Sequence, residues 1–334
     1  MNTTSDALPK LSLDYKPLLI LPVLMLLALP LVGSSSTWVT LTVAGLAMGM
    51  MVFIMASGLT LIFGLMDVLN FGHGAFVSIG AYSATLVLLP LAGWMAADSV
   101  ALNLAALALA IAAAMGVTGV LGWAFERVII RPVYGLHLKQ ILITMGGMIV
   151  AEQLITVVWG AEQIPLQLPE TFRGAFVFGD AAVEKYRLIA VCIGLTVFAA
   201  MFLVLNRTKI GLLIRAGVEN SEMVEALGYR IRRLFVGVFI AGSALAGLGG
   251  VLWGLYKETL TVGLGGEITV LVFIVIIIGG LGSVGGCFIG ALLVSLVANY
   301  IGFLLPKVAL VSDILLMVMV LLWRPKGLYP VAKR

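Results

Sequence analysis

Long apolar runs separated by short polar connections make up most of the sequence between residues 18 and 323. A helix that crosses a membrane needs about 20 consecutive, predominantly apolar residues. Ten runs come close to that length, at 18–33, 38–65, 68–89, 100–124, 140–160, 188–205, 234–255, 267–284, 287–305 and 309–323. The pattern predicts an all-α polytopic membrane protein with about ten membrane-crossing segments, some of them broken by glycine.

The composition identifies lipid as the natural solvent of this chain. Of its 334 residues, 62% are hydrophobic and 11% are charged, whereas soluble domains carry about a quarter charged residues. So few charges cannot cover a water-facing surface. Since no hydrophilic stretch is long enough for a soluble domain, residues 18–323 are expected to form a single transmembrane domain between a leader at 1–17 and a tail at 324–334.

Basic residues predict the orientation, because Lys and Arg close to helix ends favour the cytoplasmic side of a membrane. The segments 125–139, 206–233 and 324–334 contain 13 of the 20 Lys and Arg residues. Placing all three inside leaves the more acidic 161–187 loop outside and both termini in the cytoplasm. Basic clusters between membrane-length runs are not typical of nucleic-acid binders, so we expect no nucleic-acid partner.

The external 161–187 loop contains a pattern of alternating aromatic residues. Phe172, Phe176 and Phe178 alternate around small residues, and Gly179-Asp180 favours a turn. These features predict a small hairpin. Its role is either to dock a partner or to cover helix ends, and the sequence leaves both open.

The third apolar run is interrupted by Asn70-Phe71-Gly72-His73-Gly74. Each glycine weakens a helix by about 1 kcal/mol relative to alanine, and the polar side chains are costly against lipid. Irregular backbone at membrane depth is tolerated only where protein covers it or a water-filled path runs beside it. The segment is therefore either a broken helix lining a pathway or a cytoplasmic turn in which His73 is a hydrogen-bonded structural residue.

A second interruption lies at 279–286, where five of eight residues are glycine. Interrupted hydrophobic segments in both halves of a transporter point to its pathway, which makes Gly280, Gly282 and Ser283 further candidates for pathway residues. A tight turn between two packed helices explains the same pattern equally well.

A short helix is predicted in the cytoplasmic segment 206–233. Asn220 or Ser221 is suited to the N-cap, and Gly228 to the C-terminal stop. Met223, Val224 and Leu227 would then share one face. This helix either occupies a groove of a partner protein or lies flat on the lipid headgroups.

Several motifs of catalysis are missing from the sequence. It has no G-x-x-x-x-G-K-[ST] phosphate loop, no G-x-S-x-G nucleophile motif, and two histidines, His73 and His137, which form no metal motif. We therefore expect a transport subunit with no metal site and no cofactor of its own. If ATP drives transport, its hydrolysis takes place on another chain.

Several stretches of the sequence together resemble the permeases of the branched-chain amino acid family of ABC importers. The stretches that carry the resemblance are 58–74 with Gly80-Ala81-Tyr82, 211–228 with 239–250, 278–286 and 324–328. The Asn-Phe-Gly-His-Gly form is similar to the first of the two permeases that pair as a heterodimer in this family.

The resemblance implies a type II ABC-importer-like permease of the bacterial inner (plasma) membrane that works by alternating access. Its implied partners are a second related permease, ATP-binding cassette subunits that hold the ATP and Mg, and a periplasmic solute-binding protein. The resemblance also implies that 215–228 is the coupling helix, with its contacts to the ATPase made by Arg215, Glu219, Asn220, Glu222, Glu225 and Gly228.

The main alternative is a secondary transporter or channel that works without ATP. Such proteins carry ionisable residues at mid-membrane for ion coupling. Glu152, beside Gln153 in the fifth apolar run, is the deep candidate. A membrane-embedded enzyme would need a nucleophile or metal cluster that the sequence does not contain.

Overall fold

The computed structural model of the chain describes residues 17–330, so residues 1–16 of the predicted leader and 331–334 of the tail lie outside the described part. Helices predominate, as the apolar runs predict. They are α1 (Ile20–Val32), α2 (Ser35–Met66), α3 (His73–Leu88), α4 (Ala92–Met95), α5 (Val100–Phe125), α6 (His137–Trp159), α7 (Lys185–Arg207), α8 (Lys209–Glu219), α9 (Ser221–Ala226), α10 (Ile231–Lys257), α11 (Leu264–Gly279), α12 (Val284–Leu304) and α13 (Pro306–Trp323). A π-helical turn (Glu126–Ile130) and a 3-10 turn (Arg131–Val133) extend α5 towards α6.

Six helical segments in the described part are long and apolar enough to cross a membrane. They are Ser35–Met66, Val100–Val133, His137–Trp159, Lys185–Arg207, Ile231–Lys257 and Val284–Leu304. Shorter apolar helices cover Ile20–Val32, His73–Leu88, Leu264–Gly279 and Val311–Trp323. The helical membrane fold is thereby confirmed, whereas the count of about ten crossings and the orientation stay predictions.

The centre of the bundle is α2, in which every residue from position 50 to position 62 is buried. It packs against α7, α10 and α12, and α10 also packs against α3 and α5. A helix that is apolar and covered on all sides belongs to the interior of a large bundle. By contrast, α6 lies at the periphery and buries Gln140, Thr144 and Ile155.

The N-terminal parts of α3 and α11 meet at Gly74 and Gly265. A methyl group added at Gly265 would lie 2.9 Å from the Gly74 carbonyl oxygen, and one at Gly74 would overlap the Thr269 hydroxyl. Small residues allow the backbones of membrane helices to approach this closely. The two short apolar helices therefore start beside each other within the bundle.

Two small antiparallel sheets complete the described fold. Strands β2 (Ala175–Phe178) and β3 (Ala181–Glu184) form the predicted hairpin, with its turn at Gly179. The Ala182 amide donates to Thr40 Oγ1 of α2 at 3.3 Å, which fits a cover over helix ends. Strands β1 (Ile164–Pro165) and β4 (Thr259–Leu260) also pair, a contact that the sequence pattern did not predict.

Candidate functional site

The first predicted interruption is a non-helical segment at residues 67–72. α2 ends before Asp67, which has the left-handed φ of 51° and turns the chain out of the helix. Gly72 is the N-cap of α3. Asn70, Phe71 and Gly72 thus lie in the non-helical segment, whereas His73 and Gly74 open the helix that follows.

Side chains of α6 satisfy the backbone of this segment. The Leu69 amide donates to Gln140 Oε1 at 3.3 Å, and the Phe71 amide donates to Thr144 Oγ1 at 3.0 Å. These acceptors lie roughly one and two turns into α6. Residues 67–72 therefore run back into the bundle alongside α6.

His73 and Asn70 are fully buried at the start of α3. His73 Nε2 donates to the Met55 carbonyl at 2.9 Å, about three turns before the end of α2. Asn70 Oδ1 accepts from the Gly72 amide at 3.0 Å. Among the described residues, His73 Nδ1 and Asn70 Nδ2 have no hydrogen-bond partner, and such buried groups call for an explanation by water, ligand or another conformation.

The structure therefore combines parts of both interpretations of the first interruption. The helix is broken inside the bundle, and His73 is also hydrogen-bonded to a neighbouring helix. A role for Asn70, Phe71, Gly72, His73 and Gly74 in a pathway stays a prediction.

An aromatic pair joins residues 67–72 to α11. The rings of Phe71 and Phe273 are stacked, with centroids 4.3 Å apart and planes 21° apart. Sequence reasoning missed Phe273, Gln140 and Thr144, because only the tertiary fold brings them to residues 67–72. One available signal was the spacing of Gln140 and Thr144, which places two polar residues on one face of an apolar helix.

The second interruption is a tight turn between α11 and α12. Gly280 and Gly282 have φ values of 101° and 81°, which favour glycine, and Ser283 caps α12 by accepting from the Gly286 amide at 3.1 Å. This geometry fits the interpretation as a turn between packed helices. Gly282 also touches Gly64 near the end of α2, and a pathway role for these residues stays a prediction.

The C-terminal segment fastens this turn to the bundle. The Leu328 amide donates to the Ile278 carbonyl at 2.8 Å, and the Tyr329 amide donates to the Gly279 carbonyl at 2.9 Å. Both carbonyls belong to the end of α11, where no further helical turn can satisfy them. The C-terminal segment that contains the 324–328 motif therefore packs against the second interruption.

The predicted cytoplasmic helix is α9, and its caps are confirmed. Asn220 Oδ1 accepts from the Met223 amide at 2.9 Å, and Gly228 has a left-handed φ of 87°. Met223 and Leu227 are 62% and 71% exposed, but Val224 is 4% exposed. The prediction that all three share one face is wrong, because Val224 is covered by the bundle whereas Met223 and Leu227 are exposed.

The other residues predicted to couple to an ATPase are spread over α8 and α9. Arg215 donates from Nε to the Gly211 carbonyl at 3.2 Å and from a terminal nitrogen to the Leu205 carbonyl at 3.0 Å, which ties α8 to the end of α7. Glu222 is exposed. The side chain of Glu219 lies outside the described part of the structure.

A shallow cleft beside α9 carries charges of both signs. Its volume is about 440 Å³, and its lining consists of Glu225, Gly228, Tyr229, Arg230, Arg232 and Arg233. The exposed side chains of Met223 and Leu227 form an apolar ridge beside this charged cleft. We call this surface, formed by α9, Leu227 and residues 228–233, the α9 surface.

Glu152, the ionisable residue predicted deep in α6, is half-buried against α11. Its Oε1 atom lies 3.6 Å from the position that a methyl group at Gly266 would take. Within the described residues it makes no ion pair. In the same part of the chain, no group of three His, Cys, Asp or Glu side chains is arranged to hold a metal ion.

The chain is similar to known proteins over most of its length, and these proteins are described alike. Residues 41–323 match the family described as "Branched-chain amino acid transport system / permease component". The chain is 30% identical over 295 residues to the high-affinity branched-chain amino acid transport system permease protein BraD of Pseudomonas aeruginosa, which covers 86% of this chain and 94% of BraD. It is 26% identical over 291 residues to the corresponding protein LivH of Escherichia coli K12, covering 85% and 92% of the two chains.

A further relative matches about half of the chain. The sequence is 26% identical over 171 residues to the probable branched-chain amino acid transport permease protein LivM of Methanocaldococcus jannaschii, covering 47% of this chain and 49% of that protein. The similarity to BraD and LivH is thus more extensive than the similarity to LivM.

Proposed function

This chain belongs to the family of permease components of branched-chain amino acid transport systems, and from that membership we propose that it is the transmembrane permease of an ATP-driven importer. In this proposal it pairs with a second, related permease in the bacterial inner membrane, with both termini in the cytoplasm. ATP-binding cassette subunits bind ATP and Mg²⁺, and a periplasmic solute-binding protein delivers the solute. Transport then proceeds by alternating access.

The proposed solutes are branched-chain amino acids or related small solutes. The printed names of BraD and LivH specify branched-chain amino acid transport for those proteins. The described part of this chain offers a stacked aromatic pair, Phe71 and Phe273, beside the broken segment. That apolar surface is compatible with the passage of an aliphatic side chain.

The observation that carries the proposal is the α9 surface. α9 has caps at both ends, and it holds the apolar pair Met223 and Leu227 away from the bundle. A short helix seated in an apolar groove is a recurrent mode of protein recognition. We propose that this groove belongs to an ATP-binding subunit, and the residues proposed to take part in coupling are Arg215, Glu219, Asn220, Glu222, Glu225 and Gly228.

The proposed pathway runs beside residues 67–72 at the start of α3. Helices interrupted within the membrane are typical of transport pathways, where their irregular backbone lines a cavity. The unpartnered His73 Nδ1 and Asn70 Nδ2 support this placement, because a solute or water can satisfy them. The proposed pathway residues are Asn70, Phe71, Gly72, His73 and Gly74, with Gly280, Gly282 and Ser283 at the second interruption.

A secondary transporter or channel that needs no ATP is the alternative function. The half-buried Glu152 favours it, since a carboxylate at membrane depth is typical of ion-coupled transport. The two functions differ in what they require of α9. An ATP-independent transporter does not need an exposed apolar ridge that docks onto an ATPase.

Truncating this ridge tests the importer proposal. The double substitution Met223→Ala and Leu227→Ala is expected to reduce the recovery of ATP-binding subunits when the complex is purified from its native membrane in mild detergent. Leu212→Ala in α8 is the matched control, because Leu212 is 64% exposed and loses the same kind of side chain. Equal recovery of the subunits with the double variant and the control contradicts the proposed role of α9.

A further inference from the structure

Residues 67–72 are attached to α6 by three regularly spaced contacts, which we call the α6 ladder. The contacts join Asp67 Oδ2 to His137 Nε2 at 3.8 Å, the Leu69 amide to Gln140 Oε1 at 3.3 Å, and the Phe71 amide to Thr144 Oγ1 at 3.0 Å. Alternate residues of the segment are thus joined to successive turns of one helix face.

The three α6 residues of the ladder lie on one side of that helix. Positions 137, 140 and 144 are separated by about 4.5 and 6 Å along the helix axis, and residues three and four apart are neighbours on a helix surface. Asp67, Leu69 and Phe71 therefore meet a single row of α6 side chains.

The two inner contacts of the ladder involve the backbone amides of Leu69 and Phe71. Among the described residues, neither amide donates to a main-chain carbonyl, so the α6 side chains are their acceptors. Gln140 is fully buried, and its Nε2 donates to the Val133 carbonyl at 3.1 Å while its Oε1 accepts from Leu69. Thr144 is equally buried and uses its hydroxyl proton within α6, at 2.7 Å from the Gln140 carbonyl. A lone pair on the Thr144 hydroxyl oxygen thus remains to accept a hydrogen bond from the Phe71 amide.

From these contacts we infer that Gln140 and Thr144 are positioning residues for transport. They hold residues 67–72 in the bundle and thereby place the Phe71 ring against Phe273. This inference rests on the proposed function, because it assigns the segment to the translocation pathway. It adds α6, a peripheral helix without a proposed pathway residue, to the machinery that sets the shape of the path.

Hydrogen–deuterium exchange of the purified complex tests the ladder without reference to transport. Thr144→Val removes the acceptor while it preserves shape, so exchange in the peptide that contains Phe71 should rise about tenfold, the equivalent of one hydrogen bond. Thr144→Ser keeps the hydroxyl and should exchange like the parent protein. Unchanged exchange in Thr144→Val overturns the inference.

A matched control comes from the same helix. The Thr156 hydroxyl donates to the Glu152 carbonyl within α6 at 3.0 Å. Thr156→Val therefore makes the same chemical change without touching residues 67–72, and exchange of the Phe71 peptide should stay at the parental level. An equal rise in this control would assign the effect to α6 as a whole and contradict the ladder.

Uptake by the reconstituted complex then tests the positioning role. Thr144→Val should lower the maximal rate severalfold and leave the half-saturating solute concentration unchanged, with recovery in Thr144→Ser. Faster exchange with a parental uptake rate overturns the positioning role, while the importer proposal stands. If the parent complex takes up no solute although its binding protein and ATPase are present, the proposed function fails, and with it this inference.

Discussion

Gly58→Ala probes the packing of α2 at the place where His73 meets it. A methyl group at Gly58 would overlap the Gly242 carbonyl of α10 and lie 3.0 Å from His73 Cε1. All three residues are buried, so neither neighbour can move aside freely. Overpacking of a filled core costs about 1–3 kcal/mol, and the better helix propensity of alanine returns up to about 1 kcal/mol.

After the full propensity gain is subtracted, the expected net loss of stability from Gly58→Ala is therefore up to about 2 kcal/mol. Gly116→Ala in α5 is the matched control, because nothing lies within 4 Å of the added methyl group. That substitution should be neutral or stabilise the protein by up to about 1 kcal/mol. The two variants are thus expected to shift stability in opposite directions.

The assay is the midpoint of thermal unfolding in mild detergent, followed by fluorescence-detected size-exclusion chromatography. Gly58→Ala should lower the midpoint relative to the parent protein, and Gly116→Ala should not. Equal midpoints for the two variants would refute the close contact between α2 and α10. A lowered midpoint in both would show that any methyl group in these helices is harmful.

The remaining predictions concern two ionisable side chains, His73 and Glu152. His73→Ala should abolish most of the uptake while the complex still assembles. Unimpaired uptake in His73→Ala would remove His73 from the pathway. Glu152→Gln should leave ATP-driven uptake near the parental rate, because ATP rather than an ion gradient supplies the energy. Loss of uptake in Glu152→Gln, with the complex intact, would instead favour ion-coupled transport.

Local signals in the sequence predicted the elements that local interactions determine. The apolar runs located the helices, because lipid and helix interior both demand continuous apolar side chains. Asn220 and Gly228 marked the ends of α9, since capping depends on residues a few positions apart. Gly179-Asp180 likewise marked the turn of the hairpin formed by β2 and β3, because a turn also depends on adjacent residues.

Features that depend on tertiary contacts could not be predicted in this way. Val224 turned out to face the bundle, because the orientation of α9 is decided by what it packs against. Residues 67–72 run into the bundle because α6 supplies acceptors from more than 70 positions away in the sequence. The stacking of Phe71 on Phe273 likewise follows from the approach of α3 to α11.

The second interruption shows how one pattern can fit two structures. A run of glycines indicates departure from a helix, but it does not say whether the chain then lines a cavity or makes a turn. Here Gly280 and Gly282 adopt left-handed conformations in a turn that the C-terminal segment covers. Only the contact with residues 328 and 329 distinguishes the two geometries.

Solute uptake by proteoliposomes tests whether this chain is the membrane permease of an importer driven by ATP. The proteoliposomes contain the complex purified from its native membrane, with the solute-binding protein outside and ATP enclosed. Uptake of a branched-chain amino acid or related solute is expected to require both ATP and the binding protein. Uptake by this chain alone, at the same rate without ATP, would contradict the ATP-driven importer.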